Sequence, residues 1–139
     1  MSGRRASLRR CQAGIAAIEF AIAAPLLILL LVGILQLGLL GLAKAGLGQA
    51  VEAGARYATI YPRPTDEQIS AKVRNSGFGM ADAGISGPSL EHGLEAGLPY
   101  LVITMSYSQM LDFGFFNIGP VRITHTRRAY LAQAPAGTH

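Results

Sequence analysis

The sequence predicts an α+β protein in which a long N-terminal transmembrane helix extends into a small exported domain with a short helix and a small antiparallel sheet. Three observations predict this class. One apolar run covers residues 20–43, helix-capping residues precede a short segment near residue 65, and two later segments alternate apolar and polar side chains. We expect a basic cytoplasmic leader at 1–14, the transmembrane helix at 15–43, a helix extension at 44–61 and the small domain at 62–139.

The apolar run contains no charged side chain, and Gln36 is its only strongly polar residue. At ~1.5 Å per residue a helix over this run covers roughly 36 Å, which is enough for a hydrocarbon core of ~30 Å with some tilt. Pro25 leaves the carbonyl of Ala21 without its helical partner and predicts a kink. Such a kink is either tolerated by its neighbours or serves as a functional bend.

Basic residues lie before the apolar run, and no acidic residue precedes Glu19. Positive charge beside a first apolar segment keeps that end of the chain in the cytoplasm, so we expect the rest of the chain to be exported. The formal net charge of +4 lies wholly within the leader, and nucleic-acid binding is therefore not expected. Cys11 is the single cysteine, so the exported part can form no disulfide. The basic residues of the leader are Arg4, Arg5, Arg9 and Arg10.

Beyond Lys44 the helical pattern continues up to two prolines at 62 and 64, which end it. A stripe of small and apolar residues follows one face of this extension. The stripe packs either against the chain's own domain or against other subunits, and the sequence leaves both open. Its members are Leu47, Val51, Gly54 and Ala58.

The predicted domain combines a short helix with two strands. Thr65 and Gln68 fit a capping box, and Ile69 and Val73 share one face of the helix that follows, up to Gly77. Residues 77–97 are rich in glycine and are expected to form a loop with at most a short strand. The segments 100–108 and 121–131 alternate, and we expect them to pair antiparallel across residues 109–120. The side chains expected on one face are Leu101, Ile103, Met105 and Tyr107 in the first strand and Val121, Ile123 and His125 in the second.

No catalytic or metal-binding pattern is present in the sequence, so we expect neither an enzyme nor a bound metal or cofactor. The histidines at 92, 125 and 139 do not cluster, no phosphate-binding loop follows a strand, and no nucleophile motif occurs. His92 is expected in a solvated loop. Phe113, Phe115 and Phe116 form either a hydrophobic lid over the sheet or an exposed tip that contacts a partner.

The N-terminus allows three interpretations. The apolar segment of a cleaved signal peptide is only about 7–15 residues long, and this run is far longer. An uncleaved signal anchor explains the length and the arginines but leaves Glu19 unexplained, since an acidic residue beside a membrane segment usually marks function. The third interpretation uses the basic leader, Gly14, four apolar residues, Glu19 and the apolar helix together.

This combination resembles the signature of type IV prepilins. The segment EFAIAAPLLILLLVGILQLGLL, followed by AVEAGARYA, is similar to the TadE family of minor pilins (pseudopilins) of tight-adherence (Tad/Flp) type IVc pilus systems. The chain departs from the family at Gln36, where members often carry an acidic residue, and at Ile15, where many classical pilins have Phe or Met.

The resemblance implies cleavage by a prepilin peptidase between Gly14 and Ile15, on the cytoplasmic face of a bacterial inner membrane. It also implies that Glu19, followed by Phe20, acts in assembly: Glu19 would neutralise the new α-amino group of Ile15 on another subunit and so set the axial register. The implied partners are a major Flp-type pilin, other pseudopilins and an inner-membrane assembly platform with its ATPase. The exported domain would be periplasmic or part of an extracellular pilus. The alternative is an uncleaved, signal-anchored periplasmic binding module that never enters a filament.

Overall fold

The computed structural model describes the backbone of residues 4–132 and the side chains of residues 14–132. The chain divides into two compact units, residues 1–37 and residues 38–139, which are described separately. The order of helices and strands confirms the predicted α+β class. The elements are helix α1 (Arg4–Ala58), helix α2 (Asp66–Ser76), a 3₁₀ turn (Asp82–Gly84) and strands β1 (Ile85–Glu95), β2 (Leu98–Asp112) and β3 (Asn117–Tyr130).

The first unit consists of the N-terminal part of α1. The helix is continuous through Pro25. Its large apolar side chains are exposed on all sides, from Ile15 to Leu37. A helix that is apolar all round requires an apolar environment. Within the described residues, Gly14–Ala58 is the one helical segment long and apolar enough to cross a membrane.

In the second unit, the C-terminal turns of α1 form one wall of a small hydrophobic core. The predicted stripe is confirmed, and it packs against the chain's own domain. The helix ends at Ala58, where the N–H groups of Thr59 and Ile60 donate to the carbonyls of Arg56 and Tyr57 at 3.2 and 3.3 Å. The buried residues of α1 are Ala43, Leu47, Ala50, Val51, Ala55 and Ala58.

Helix α2 begins with the predicted capping box. The Gln68 N–H donates to Thr65 Oγ1 at 3.3 Å, and the Thr65 N–H donates to Gln68 Oε1 at 3.0 Å. Ile69 and Val73 are fully buried against the core. A Cβ added to Gly54 of α1 would overlap the Cγ2 methyl of Val73, so the glycine is what allows the two helices to approach this closely.

The sheet has the order β1-β2-β3, and all its strands are antiparallel. Strand β2 is central, and its alternating face is buried as predicted. Its register with β3 pairs Ile103 with Arg127 and Met105 with His125. The predicted pairing of these strands is confirmed, but the connection is shorter than expected because both strands extend into it and leave only residues 113–116 as the turn.

Strand β1 corrects the expectation of a loop over residues 77–97. Residues 85–95 form a full-length edge strand paired with β2. The register shifts between Ser86 and Ser89, at a bulge that contains Gly87 with φ +102°. Because a bulge inverts the side-chain parity along a strand, β1 shows no regular alternation. Only Ile85 and Leu90 of this strand pack against the core.

Candidate functional site

The proposed cleavage site lies in the helical backbone of α1. A Cβ added to Gly14 would meet no atom within 4 Å, and the Ile15 side chain is 66% exposed. Nothing in the described part of the chain therefore covers the Gly14–Ile15 bond.

Glu19 and Phe20 also point away from other parts of the described chain. Glu19 lies four residues after Ile15, which places both on one helical face about 6 Å apart along the axis. The Phe20 side chain is 73% exposed. Glu19 is the only charged residue between Gly14 and Ala43. The arrangement thus presents one carboxylate on an otherwise apolar helix, one turn after the predicted new terminus.

The other predicted N-terminal features are only partly visible. The side chains of Arg4, Arg5, Arg9 and Arg10 lie outside the described residues, so their role in topology stays a prediction. Pro25 lies inside α1, and the helix continues on both sides of it.

The three phenylalanines lie at the turn between β2 and β3. The rings of Phe113 and Phe116 stack with centroids 5.0 Å apart, and the Phe113 N–H donates to the Phe116 carbonyl at 3.0 Å. Gly114 has φ +82°, and its N–H donates to Asp112 Oδ1 at 2.8 Å. Phe115 is 84% exposed, and none of the three packs against the core cluster. The lid interpretation is therefore wrong, and the turn is an exposed aromatic tip.

Two further apolar side chains extend this tip and were missed from the sequence. Met110 on β2 and Ile118 on β3 are both about half exposed. The sequence signal that could have found Ile118 is the absence of any charge from Phe113 to Val121, whereas Met110 lies before Asp112 and outside that stretch. We call Met110, Phe113, Phe115, Phe116 and Ile118 the hairpin tip.

Glu52 joins α1 to the sheet. Its carboxylate lies 3.4 Å from Arg56 Nε, one helical turn further along α1, and 3.1 Å from Arg127 Nε on β3. The Arg127 side chain is 58% exposed. The contact with Glu52 shows that this exposed arginine also holds α1 against β3.

His92 lies in β1 rather than in the expected loop. Its Nε2 lies 2.8 Å from Asp66 Oδ2, and its Nδ1 lies 3.1 Å from Arg63 Nη2. A neutral ring that donates from Nε2 and accepts at Nδ1 satisfies both contacts. The histidine thus links the edge strand to the start of α2.

A second polar group lies at the opposite end of the sheet from the hairpin tip. Glu95 Oε2 accepts from Arg128 Nη1 at 2.7 Å and from the Tyr130 hydroxyl at 2.9 Å. The Arg128 guanidinium also lies 4.4 Å from the centre of the Tyr100 ring. The side-chain hydrogen bond with Tyr130, followed by the attraction of the Glu95 charge, raises the pKa of Arg128 above its ordinary value. These side chains form a charged surface that is exposed to solvent.

Within the described residues, no three His, Cys, Asp or Glu side chains lie close enough to hold a metal ion. The polar side chains described above are engaged in contacts between elements of the fold. Two parts of the described surface carry several exposed large apolar side chains close together: the N-terminal helix and the hairpin tip.

Comparison with known proteins found one similarity, over the N-terminal segment. Residues 14–56 match the family model described as TadE-like protein. No curated protein and no solved structure gave a significant match. The match covers the apolar helix and its extension up to Arg56, the segment on which the resemblance to this family rests. Residues 14–56 are therefore similar to TadE-like proteins, which confirms the predicted resemblance over this segment.

Proposed function

We propose that this chain is a minor pilin, or pseudopilin, of a tight-adherence pilus, and that it takes part in pilus assembly as an initiating, tip or regulatory subunit. The observation that carries the proposal is that the TadE-like segment begins at Gly14, the residue after which we predict cleavage. Within α1, Glu19 lies one helical turn after Ile15. A structural role, rather than an enzymatic one, follows from this family assignment.

The proposed topology puts the leader in the cytoplasm, α1 across the bacterial inner membrane and the sheet in the periplasm. The leader arginines support this orientation, since positive charge is retained on the cytoplasmic side. The exposed apolar surface of α1 supports anchoring, because lipid or neighbouring helices would cover it.

A prepilin peptidase would cut between Gly14 and Ile15 and create an α-amino group at the membrane surface. When subunits leave the lipid and pack together, Glu19 of one subunit would neutralise this amine on another. A buried charge without a partner is strongly unfavourable, so only the axial register that pairs the two charges is accessible. The exposed Phe20 beside Glu19 would pack in the same contact.

The partners in this proposal are the peptidase, a major Flp-type pilin, other pseudopilins and the inner-membrane assembly platform. The peptidase acts on Gly14 and Ile15, and the other pilins contact the exposed apolar face of α1. The platform and its ATPase would draw the processed subunit out of the membrane.

The experiment that tests the role of Glu19 compares Glu19→Ala, Glu19→Gln and Glu19→Asp in cells that assemble the pilus. Glu19→Gln keeps the shape and removes only the charge. We expect all three variants to insert into the membrane. The Glu19→Ala and Glu19→Gln variants should be absent from the fraction that contains sheared pili or assembly complexes. The Glu19→Asp variant should still be incorporated, at a reduced level. Normal co-assembly of Glu19→Gln would contradict the charge-pair mechanism.

A further inference from the structure

We propose that the hairpin tip is a second membrane contact. It inserts into the bilayer leaflet on the exported side, beside the point where α1 enters the bilayer. This inference rests on the membrane anchoring of the proposed function and is independent of filament assembly. It follows from where the tip lies in the second unit and from its composition.

In the second unit, α1 and β2 run in opposite directions along the core. A Cβ on Gly54 would lie 3.5 Å from Ile103 Cδ1, and a Cβ on Gly48 would lie 3.8 Å from the His125 ring. His125 pairs with Met105. Moving along α1 toward its N-terminal end therefore means moving along β2 toward the hairpin tip.

The hairpin tip lies further along the axis of α1 than Lys44 does. Lys44 is the first charge after the apolar run and marks where the helix leaves the bilayer. It lies only about 6 Å along the helix from Gly48. From Met105 to Phe113 the strand covers roughly 23 Å once one residue is allowed for the irregularity between Gln109 and Leu111. Even a strand inclined by about 45° to the helix would advance by roughly 16 Å, so the hairpin tip passes the level of Lys44.

Four of the five residues of the hairpin tip lie in a stretch without charge from Phe113 to Val121, and Met110 precedes Asp112. The exposed side chains of the tip are apolar. The Asp112 carboxylate at its edge accepts from the Gly114 N–H. Exposed aromatic and aliphatic side chains of this kind enter the boundary between lipid headgroups and acyl chains.

The opposite end of the sheet provides the contrast. Leu94, which is 75% exposed, and Leu98 flank the turn between β1 and β2. They lie beside the ion pair of Glu95 and Arg128, at the end of β2 opposite the hairpin tip. A single bilayer can therefore meet the hairpin tip but not Leu94, which makes Leu94 a matched control.

The test uses site-specific fluorescent probes on the full-length chain. Because Cys11 is the only cysteine, a Cys11→Ser background allows one thiol to be placed by Leu30→Cys in the apolar helix, Phe115→Cys in the hairpin tip or Leu94→Cys at the far end. Each is labelled with an environment-sensitive dye and reconstituted in phosphatidylcholine and phosphatidylglycerol vesicles at a high ratio of lipid to protein. Brominated lipids then report direct contact of each probe with acyl chains.

We expect quenching at positions 30 and 115 and none at position 94. A probe at 115 that behaves like the probe at 94 overturns the inference, while quenching at 30 shows that anchoring still holds. A probe at 115 that is blue-shifted but not quenched, with a signal that grows with protein density, also overturns it, because the tip then contacts another protein chain. Absence of quenching at 30 refutes anchoring itself and the inference with it.

Discussion

Gly54→Ala is expected to destabilise the second unit, although alanine is the better helix former. The added methyl group would overlap the Cγ2 methyl of Val73 and would lie 3.5 Å from both Val73 Cβ and Ile103 Cδ1. A β-branched side chain within a helix has essentially one rotamer, so Val73 cannot turn away. Overpacking of this kind costs about 1–3 kcal/mol, against a gain of about 1 kcal/mol in helix propensity. The difference is a net loss of up to about 2 kcal/mol.

Gly48→Ala is the matched control in the same helix. A Cβ at this position would meet only ring atoms of His125, at 3.8 and 4.0 Å, which is ordinary van der Waals contact. The variant should therefore keep the propensity gain and stabilise the domain by about 0.5–1 kcal/mol.

The assay is amide hydrogen exchange of β2 in the full-length chain in detergent micelles, because core strands report global unfolding. A double mutant isolates the steric cause: in a Val73→Ala background the overlapping methyl is gone, and Gly54→Ala should become neutral or stabilising. Equal effects of Gly54→Ala and Gly48→Ala, or the same loss with and without Val73, would refute the close-packing argument.

Three further predictions concern other contacts of the second unit. Thr65→Ala should cost about 1 kcal/mol and speed exchange of the Gln68 amide, whereas Thr65→Ser should keep the cap. Glu52→Gln should cost less than about 1 kcal/mol in urea titrations, with a difference from the unmodified chain that shrinks as salt rises; a salt-independent loss would contradict an ionic contact with Arg127. Gly46→Ala should lower the thermal midpoint more than Gly54→Ala does, because its Cβ would overlap the backbone carbonyl of Phe78, while Gly41→Ala, with no atom within 4 Å, should not lower it.

The parts of the fold with a clean local pattern were predictable from the sequence. The capping box at Thr65 and the alternation of β2 each satisfy one rule of local geometry, and both are present as expected. Strand β1 was not predictable, because the bulge around Gly87 breaks its alternation and its neighbour β2 supplies the pairing that makes it a strand. Edge strands with few core contacts leave little trace in the hydrophobic pattern.

The residues of the candidate site also divide into those that the sequence could predict and those that only the folded structure brings together. The segment from Gly14 through Glu19 is a linear motif, so it could be proposed from the sequence alone, and the family match begins at its glycine. The position of the hairpin tip depends on the length of β2 and β3 and on the direction of β2 against α1, which no local pattern encodes. The contact between Glu52 and Arg127 likewise joins residues far apart in the chain and is visible only in the folded domain.

The central claim is tested most directly by intact-mass analysis and N-terminal sequencing of the membrane-extracted protein made together with its cognate prepilin peptidase. Gly14→Val serves as the control, because nothing lies within 4 Å of a Cβ at that position and a loss of cleavage would not reflect a packing defect. We predict a chain that begins at Ile15, with or without a methyl group on its amine, and an uncleaved Gly14→Val variant. A native chain that keeps Arg4 through Gly14 would contradict the pilin assignment and favour an anchored periplasmic binding module.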